Sequence, residues 1–123
     1  MKLKLNPFSK PKAEKNSPSI KVITIDCERI SLANSEEIRA QCDTQLNDQS
    51  TVILDLKKLH FIDSSGLGLL VSLRKMMLPP QNLILEGITD PVIRELFSLT
   101  RMDQIFILSK DREESVQRFY NLS

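Results

Sequence analysis

The chain has 123 residues, which suits one domain and is long enough to bury a single core. Its 17 basic and 16 acidic residues leave a net charge of +1, so the global balance lacks the strong positive field of a nucleic-acid or anionic-membrane binder. Two cysteines, Cys27 and Cys42, are separated by fourteen residues with no His-rich or Cys-rich cluster nearby, which argues against a zinc site, and the two thiols read as reduced residues of a cytosolic protein.

Residues 1–18 hold Lys2, Lys4, Lys10, Lys12 and Lys15 against Glu14, a net charge of +4, which leaves −3 for residues 19–123. Pro7, Pro11 and Pro18 interrupt this stretch, so it cannot bury enough apolar surface to repay the entropy of ordering and is expected to be a flexible basic tail. Leu3, Leu5 and Phe8 interleave with the lysines, but the segment is short for an interfacial helix and lacks Trp. No secretory h-region follows the lysines, and no apolar run approaches the ~20 residues of a membrane span. A cytoplasmic protein that does not insert into membranes is expected, with its domain over residues 19–123.

Ile20 to Ile25 is rich in β-branched residues and predicts the first strand; Cys27 to Leu32 predicts a second strand or hairpin arm. Asn34 with Glu37 resembles a capping box, after which Ile38, Cys42 and Leu46 line one face of a first helix. Residues 51–56 form an apolar run suited to a central strand. A second helix is predicted from about Ser65 to Leu78, ended by Pro79-Pro80, with Leu69, Leu70, Leu73, Met76 and Met77 at helical spacing. Leu83 to Leu85 predicts a short strand, Asp90-Pro91 opens a third helix carrying Val92, Ile93, Leu96 and Phe97, and Ile105 to Leu108 predicts the last strand. Asp111 and Glu114 begin a final helix using Val116, Phe119 and Tyr120. The alternation implies an α/β fold: a mixed β-sheet of about five strands with about four helices.

Asp63-Ser64-Ser65-Gly66-Leu67-Gly68 concentrates two hydroxyls and two glycines where a strand hands over to a helix. A helix start offers unpaired N–H groups and the positive end of the macrodipole, so a phosphoryl group on either serine is tolerated there. A serine at this place also serves as a plain helix cap, and Asp63 is a second candidate for that role. Gly66 and Gly68 admit close packing or the approach of another protein's active site. Leu67 and the flank near Arg74 and Lys75 are the positions expected to face a partner. A serine hydrolase would need His60 beside Ser65 and a third orienting group, and the chain has no Gly-x-Ser-x-Gly elbow. No phosphate-binding P-loop is present, and no cofactor or metal is expected.

Ile53-Leu54-Asp55-Leu56, then Phe61 to Leu70, then Asp90 to Phe97 followed by Met102-Asp103-Gln104-Ile105-Phe106, resembles the STAS-domain anti-sigma factor antagonists of bacteria over about residues 19–120. The resemblance implies a single, non-enzymatic STAS domain in a partner-switching pathway of transcription regulation. Its unphosphorylated form binds a serine-kinase anti-sigma factor; phosphorylation in the Asp-Ser-Ser-Gly turn releases the kinase, and a metal-dependent serine phosphatase restores binding. Carried over by position, the acceptor is Ser65, with Ser64 as runner-up, and Asp63, Ser64, Ser65, Gly66 and Leu67 form the partner-binding segment. No direct contact with nucleic acid is implied. The alternative is a STAS scaffold or transporter-associated subunit that uses the same surface without phosphorylation. Family members commonly have a Gly-Arg-Leu-Asp segment at the second strand, where this chain has Glu28-Arg29-Ile30-Ser31.

Overall fold

The computed structural model describes residues 3–5, 19–46, 50–77 and 82–122. Seven strands and five helices are formed among them: β1 (Leu3–Leu5), β2 (Ile20–Ile25), β3 (Arg29–Ile30), α1 (Ser35–Asp43), β4 (Thr51–Asp55), β5 (Phe61–Ile62), α2 (Ser64–Met76), β6 (Leu83–Glu86), α3 (Pro91–Leu99), α4 (Met102–Ile105), β7 (Ile107–Ser109) and α5 (Arg112–Leu122). The main sheet runs β1-β2-β4-β6-β7, with β2, β4, β6 and β7 mutually parallel and β1 antiparallel to β2. The expected mixed sheet of five strands is therefore present.

Strand side chains alternate between faces, and the two faces of this sheet carry different cores. Ile23, Ile25, Val52, Leu54, Leu83 and Leu85 join Ile38 and Cys42 of α1, Leu69, Leu70 and Leu73 of α2, and Ile93 and Phe97 of α3 in the larger cluster. Val22, Ile53 and Ile84 form the smaller cluster on the opposite face. Consecutive parallel strands joined by right-handed crossovers put their helices on one side, which is why the first helices share one core.

Several expectations are corrected. The fifth strand of the sheet is supplied by Leu3–Leu5, inside the stretch expected to be a flexible tail; backbone pairing with the exposed edge of β2 orders these residues without any need for a core of their own. The rest of that stretch, and the Pro79-Pro80 stop, lie outside the described residues. The Cys27–Leu32 arm does not form a hairpin: Arg29–Ile30 pairs parallel with Phe61–Ile62 in a separate two-stranded sheet. Asn34 does not cap α1 with its side chain; Oδ1 accepts from the Ser31 N–H (2.9 Å) and Nδ2 donates to the Arg29 carbonyl (2.8 Å), so it closes the preceding turn. Ile105 ends the added helix α4, and the last strand begins at Ile107. Tyr120 is exposed, while Phe119 of α5 is buried.

The Asp90-Pro91 start of α3 is as expected: Asp90 Oδ1 accepts from the Val92 N–H (2.9 Å) and the Ile93 N–H (3.4 Å). Asp111 likewise accepts from the Glu114 N–H (2.9 Å) at the head of α5.

Candidate functional site

The two-stranded β3–β5 sheet is the platform of the site. It brings the end of β5 against the start of the β3–α1 loop, so residues about thirty positions apart meet where α2 begins. Asp63 is the N-cap of α2, with extended backbone, and its carboxylate is shared. Oδ1 accepts from the Gly66 N–H (3.0 Å), and Oδ2 accepts from the Leu32 N–H across the gap (3.1 Å). These amides, Gly66 first, hold the Asp63 carboxyl below its ordinary value, so it stays ionised at neutral pH. The cap thus falls to Asp63 and leaves both serine hydroxyls to other uses.

Ser64 is exposed, whereas Ser65 is half-buried and lines a groove of about 300 Å³ between α1 and α2. Leu32, Glu36 and Arg39 stand on the other side of that groove, and Gly68 lies on the same side as Ser65. Gly66 is buried for a steric reason: a Cβ there would lie 2.5 Å from Ile62 Cγ1 and 2.6 Å from the Ile30 carbonyl oxygen. Nothing lies within 4 Å of a Cβ built on Gly68, so that glycine leaves open surface beside Ser65.

Leu67 is corrected as a partner-facing residue. It is only 9% exposed and belongs to the main core, where it shares the buried face of α2 with Leu70 one turn later. The apolar side chain that does face solvent here is Leu32, 77% exposed, which the helical and strand periodicities do not mark because it sits in a turn. Arg39 is likewise absent from the sequence-based site; its place opposite Ser65 follows from the packing of α1 on α2. Phe61 is partly exposed, with the Arg29 guanidinium 4.1 Å above its ring. Arg74 and Lys75 lie in the last turn of α2, roughly 15 Å of helix from Ser65, where they complement the negative end of the macrodipole.

His60 is not brought to Ser65. Its Nδ1 lies 3.1 Å from Asp90 Oδ2, linking the approach to β5 with the cap of α3. That contact and the capping amides hold the Asp90 carboxyl low. Both cysteines are free thiols, and burial pushes the Cys42 thiol up to about 12. Among the described residues, no three His, Cys, Asp or Glu side chains gather as a metal site, and no helix is long and apolar enough to cross a membrane.

A four-strand parallel sheet with one antiparallel edge, and a capped Asp-Ser-Ser-Gly turn at the head of its second helix, define a small α/β domain. The sequence matches the STAS domain family model over residues 11–115, and the chain belongs to that family. It is 28% identical over 91 residues to BtrV of Bordetella bronchiseptica, a relative whose name assigns it to the anti-sigma factor antagonists; the match spans 73% of this chain and 78% of BtrV. Its fold is similar to that of an anti-sigma factor antagonist STAS domain protein from Planctomyces limnophilus, with a TM-score of 0.73 at 20% identity, over 82% of this chain and 91% of the other. It is also similar to the anti-sigma factor antagonist SpoIIAA in its unphosphorylated form, with a TM-score of 0.67 at 22% identity, over 98% and 97% of the two chains. The phosphorylated form of the Bacillus SpoIIAA matches with a TM-score of 0.59 at 22% identity, over 95% and 98%.

Proposed function

We propose that this protein is an anti-sigma factor antagonist of the cytoplasm. Its unphosphorylated form binds a serine-kinase anti-sigma factor, phosphorylation of Ser65 releases that kinase, and a metal-dependent serine phosphatase restores binding. The protein is the substrate in these reactions and catalyses neither. The observation that carries this reading is the division of labour in the Asp-Ser-Ser-Gly turn. Asp63 takes the capping bond, Gly66 lets the helix start sit tight on β3, and the Ser65 hydroxyl is left over beside an open groove. Exposed Leu32 and the bare surface at Gly68 give a partner an apolar contact and room to approach. The name of BtrV and the two forms of SpoIIAA named above support the same reading.

Ser65 is preferred to Ser64 because it lines the groove, whereas Ser64 faces open solvent. Incubation with the cognate kinase and ATP, followed by intact-mass analysis, tests the assignment. The wild type is expected to gain one phosphate and Ser65→Ala none, with the variant still folded. An undiminished gain in Ser65→Ala moves the acceptor to Ser64, and no gain in the wild type overturns the phosphorylation reading.

A further inference from the structure

The groove beside Ser65 is lined by one cation, Arg39 of α1. Its side chain is 47% exposed, and it forms an ion pair at 4.0 Å with Glu36, three residues earlier on the same helix. Exposed pairs of this kind contribute little and exchange readily for a stronger partner. A phosphoserine is such a partner: it brings close to two negative charges and three acceptor oxygens, and a guanidinium can bond two of those oxygens at once.

We infer that Arg39 is the internal receptor for the phosphoryl group on Ser65: phosphorylation replaces the Glu36–Arg39 pair with a phosphate–Arg39 pair that bridges α2 to α1 across the groove, beneath Leu32. The inference rests on Ser65 as the acceptor. It adds a second consequence to phosphorylation besides repulsion of the kinase. The groove that the unphosphorylated form leaves open becomes occupied by the protein's own ion pair, and Arg39 is withdrawn from any partner. Ser64 is exposed and does not line the groove, so a phosphate there is not part of this pair.

The other charged groups facing this position act in the opposite sense. Glu36 projects from the same helix as Arg39, and Asp63 caps α2; both carboxylates favour the protonated phosphate, while the N–H groups at the head of α2 favour the dianion. Removing Arg39 therefore leaves two opposing carboxylates and gives the test a definite sign. Phosphoserine installed at position 65 of the full chain during translation is titrated by phosphorus NMR. Its second ionisation is expected to lie about half a unit or more below the ordinary value of about 6. Arg39→Gln should raise it, and Arg39→Lys should keep most of the shift because the charge remains. Phosphoserine at position 64 should be indifferent to Arg39→Gln. Identical titrations of phosphoserine 65 with Arg39 and with Gln in its place overturn the inference. Because the phosphate is installed without the kinase, failure of Ser65 as a kinase substrate appears in the mass experiment and not in this one.

Discussion

Gly66 and Gly68 lie two positions apart in α2 and are glycine for different reasons. At Gly66 the obstacle to a methyl group is partly the Ile30 carbonyl, a strand backbone atom that cannot swing aside. Gly66→Ala is therefore expected to cost about 1–3 kcal/mol through overpacking, read as a lower urea midpoint. At Gly68 a methyl group meets open space, so Gly68→Ala should stabilise the fold by about 0.5–1 kcal/mol through helix propensity while weakening the kinase complex, since the methyl intrudes on the surface beside Ser65. Shifts of the same sign in both variants would contradict this division. Asp63 adds a pH dependence. Its folded carboxyl is held low, so the stabilisation it gives is complete above the unfolded value of about 4 and is lost as pH falls through the lower folded value. Asp63→Asn should consequently narrow its stability deficit against the wild type between about pH 7 and about pH 3; a deficit equal at both would assign the acid response elsewhere. The density of small and hydroxyl residues made this turn visible in the sequence. Leu32 and Arg39 were not visible, because what places them is a hydrogen bond across thirty-one positions and a helix–helix groove, neither of which leaves a local pattern.

Elements were legible where their signals are local. Ile20–Ile25 and the Asp90-Pro91 helix start need only β-branched runs and a cap followed by proline, and both are found where the sequence puts them. Strand pairing is a long-range choice, which is why the parallel β3–β5 pair and the β1 edge strand were missed. The same applies to a polar row on the back of the sheet. Register aligns Thr24, Asp55, Glu86 and Ser109 across four strands, and Asp55 and Glu86 are almost fully buried neighbours of like charge. Arg112, in the first turn of α5, compensates them: Nε and a terminal nitrogen fork the Glu86 carboxylate at 2.9 and 3.0 Å, and Asp55 Oδ2 lies 3.7 Å away. Ser115 also donates to Glu86 (2.8 Å), so the row ties α5 to the sheet. The Glu86 contact raises the guanidinium's own ionisation further. Arg112→Ala should cost about 3 kcal/mol, because it leaves the buried Glu86 carboxylate without its cation, while Asp55 keeps Lys57 at 3.8 Å. Glu86→Gln in the same chain should recover part of that loss. If chemical denaturation finds Arg112→Ala within about 0.5 kcal/mol of the wild type, the row does not hold α5 in place.

At the scale of the whole molecule, the sheet and its helices hold the Asp-Ser-Ser-Gly turn in a fixed position. The main core fixes α2 through Leu67, Leu69, Leu70 and Leu73, the β3–β5 pair fixes the loop that carries Leu32, and Asp63 joins the two. A phosphate on Ser65 therefore lands on a surface whose position does not depend on it. The fold should survive phosphorylation while binding does not: at a close interface shaped for a hydroxyl, a dianion with unmatched acceptor oxygens costs several kcal/mol, and each ~1.4 kcal/mol is tenfold in affinity. Calorimetric titration of the cognate serine kinase with the unphosphorylated and the Ser65-phosphorylated protein, each form's melting curve recorded alongside, is the most direct test. The expected result is an affinity lower by about a hundredfold or more for the phosphorylated form with its cooperative melt retained; equal affinities, or a phosphorylated form that has lost its melt, would contradict release by phosphorylation.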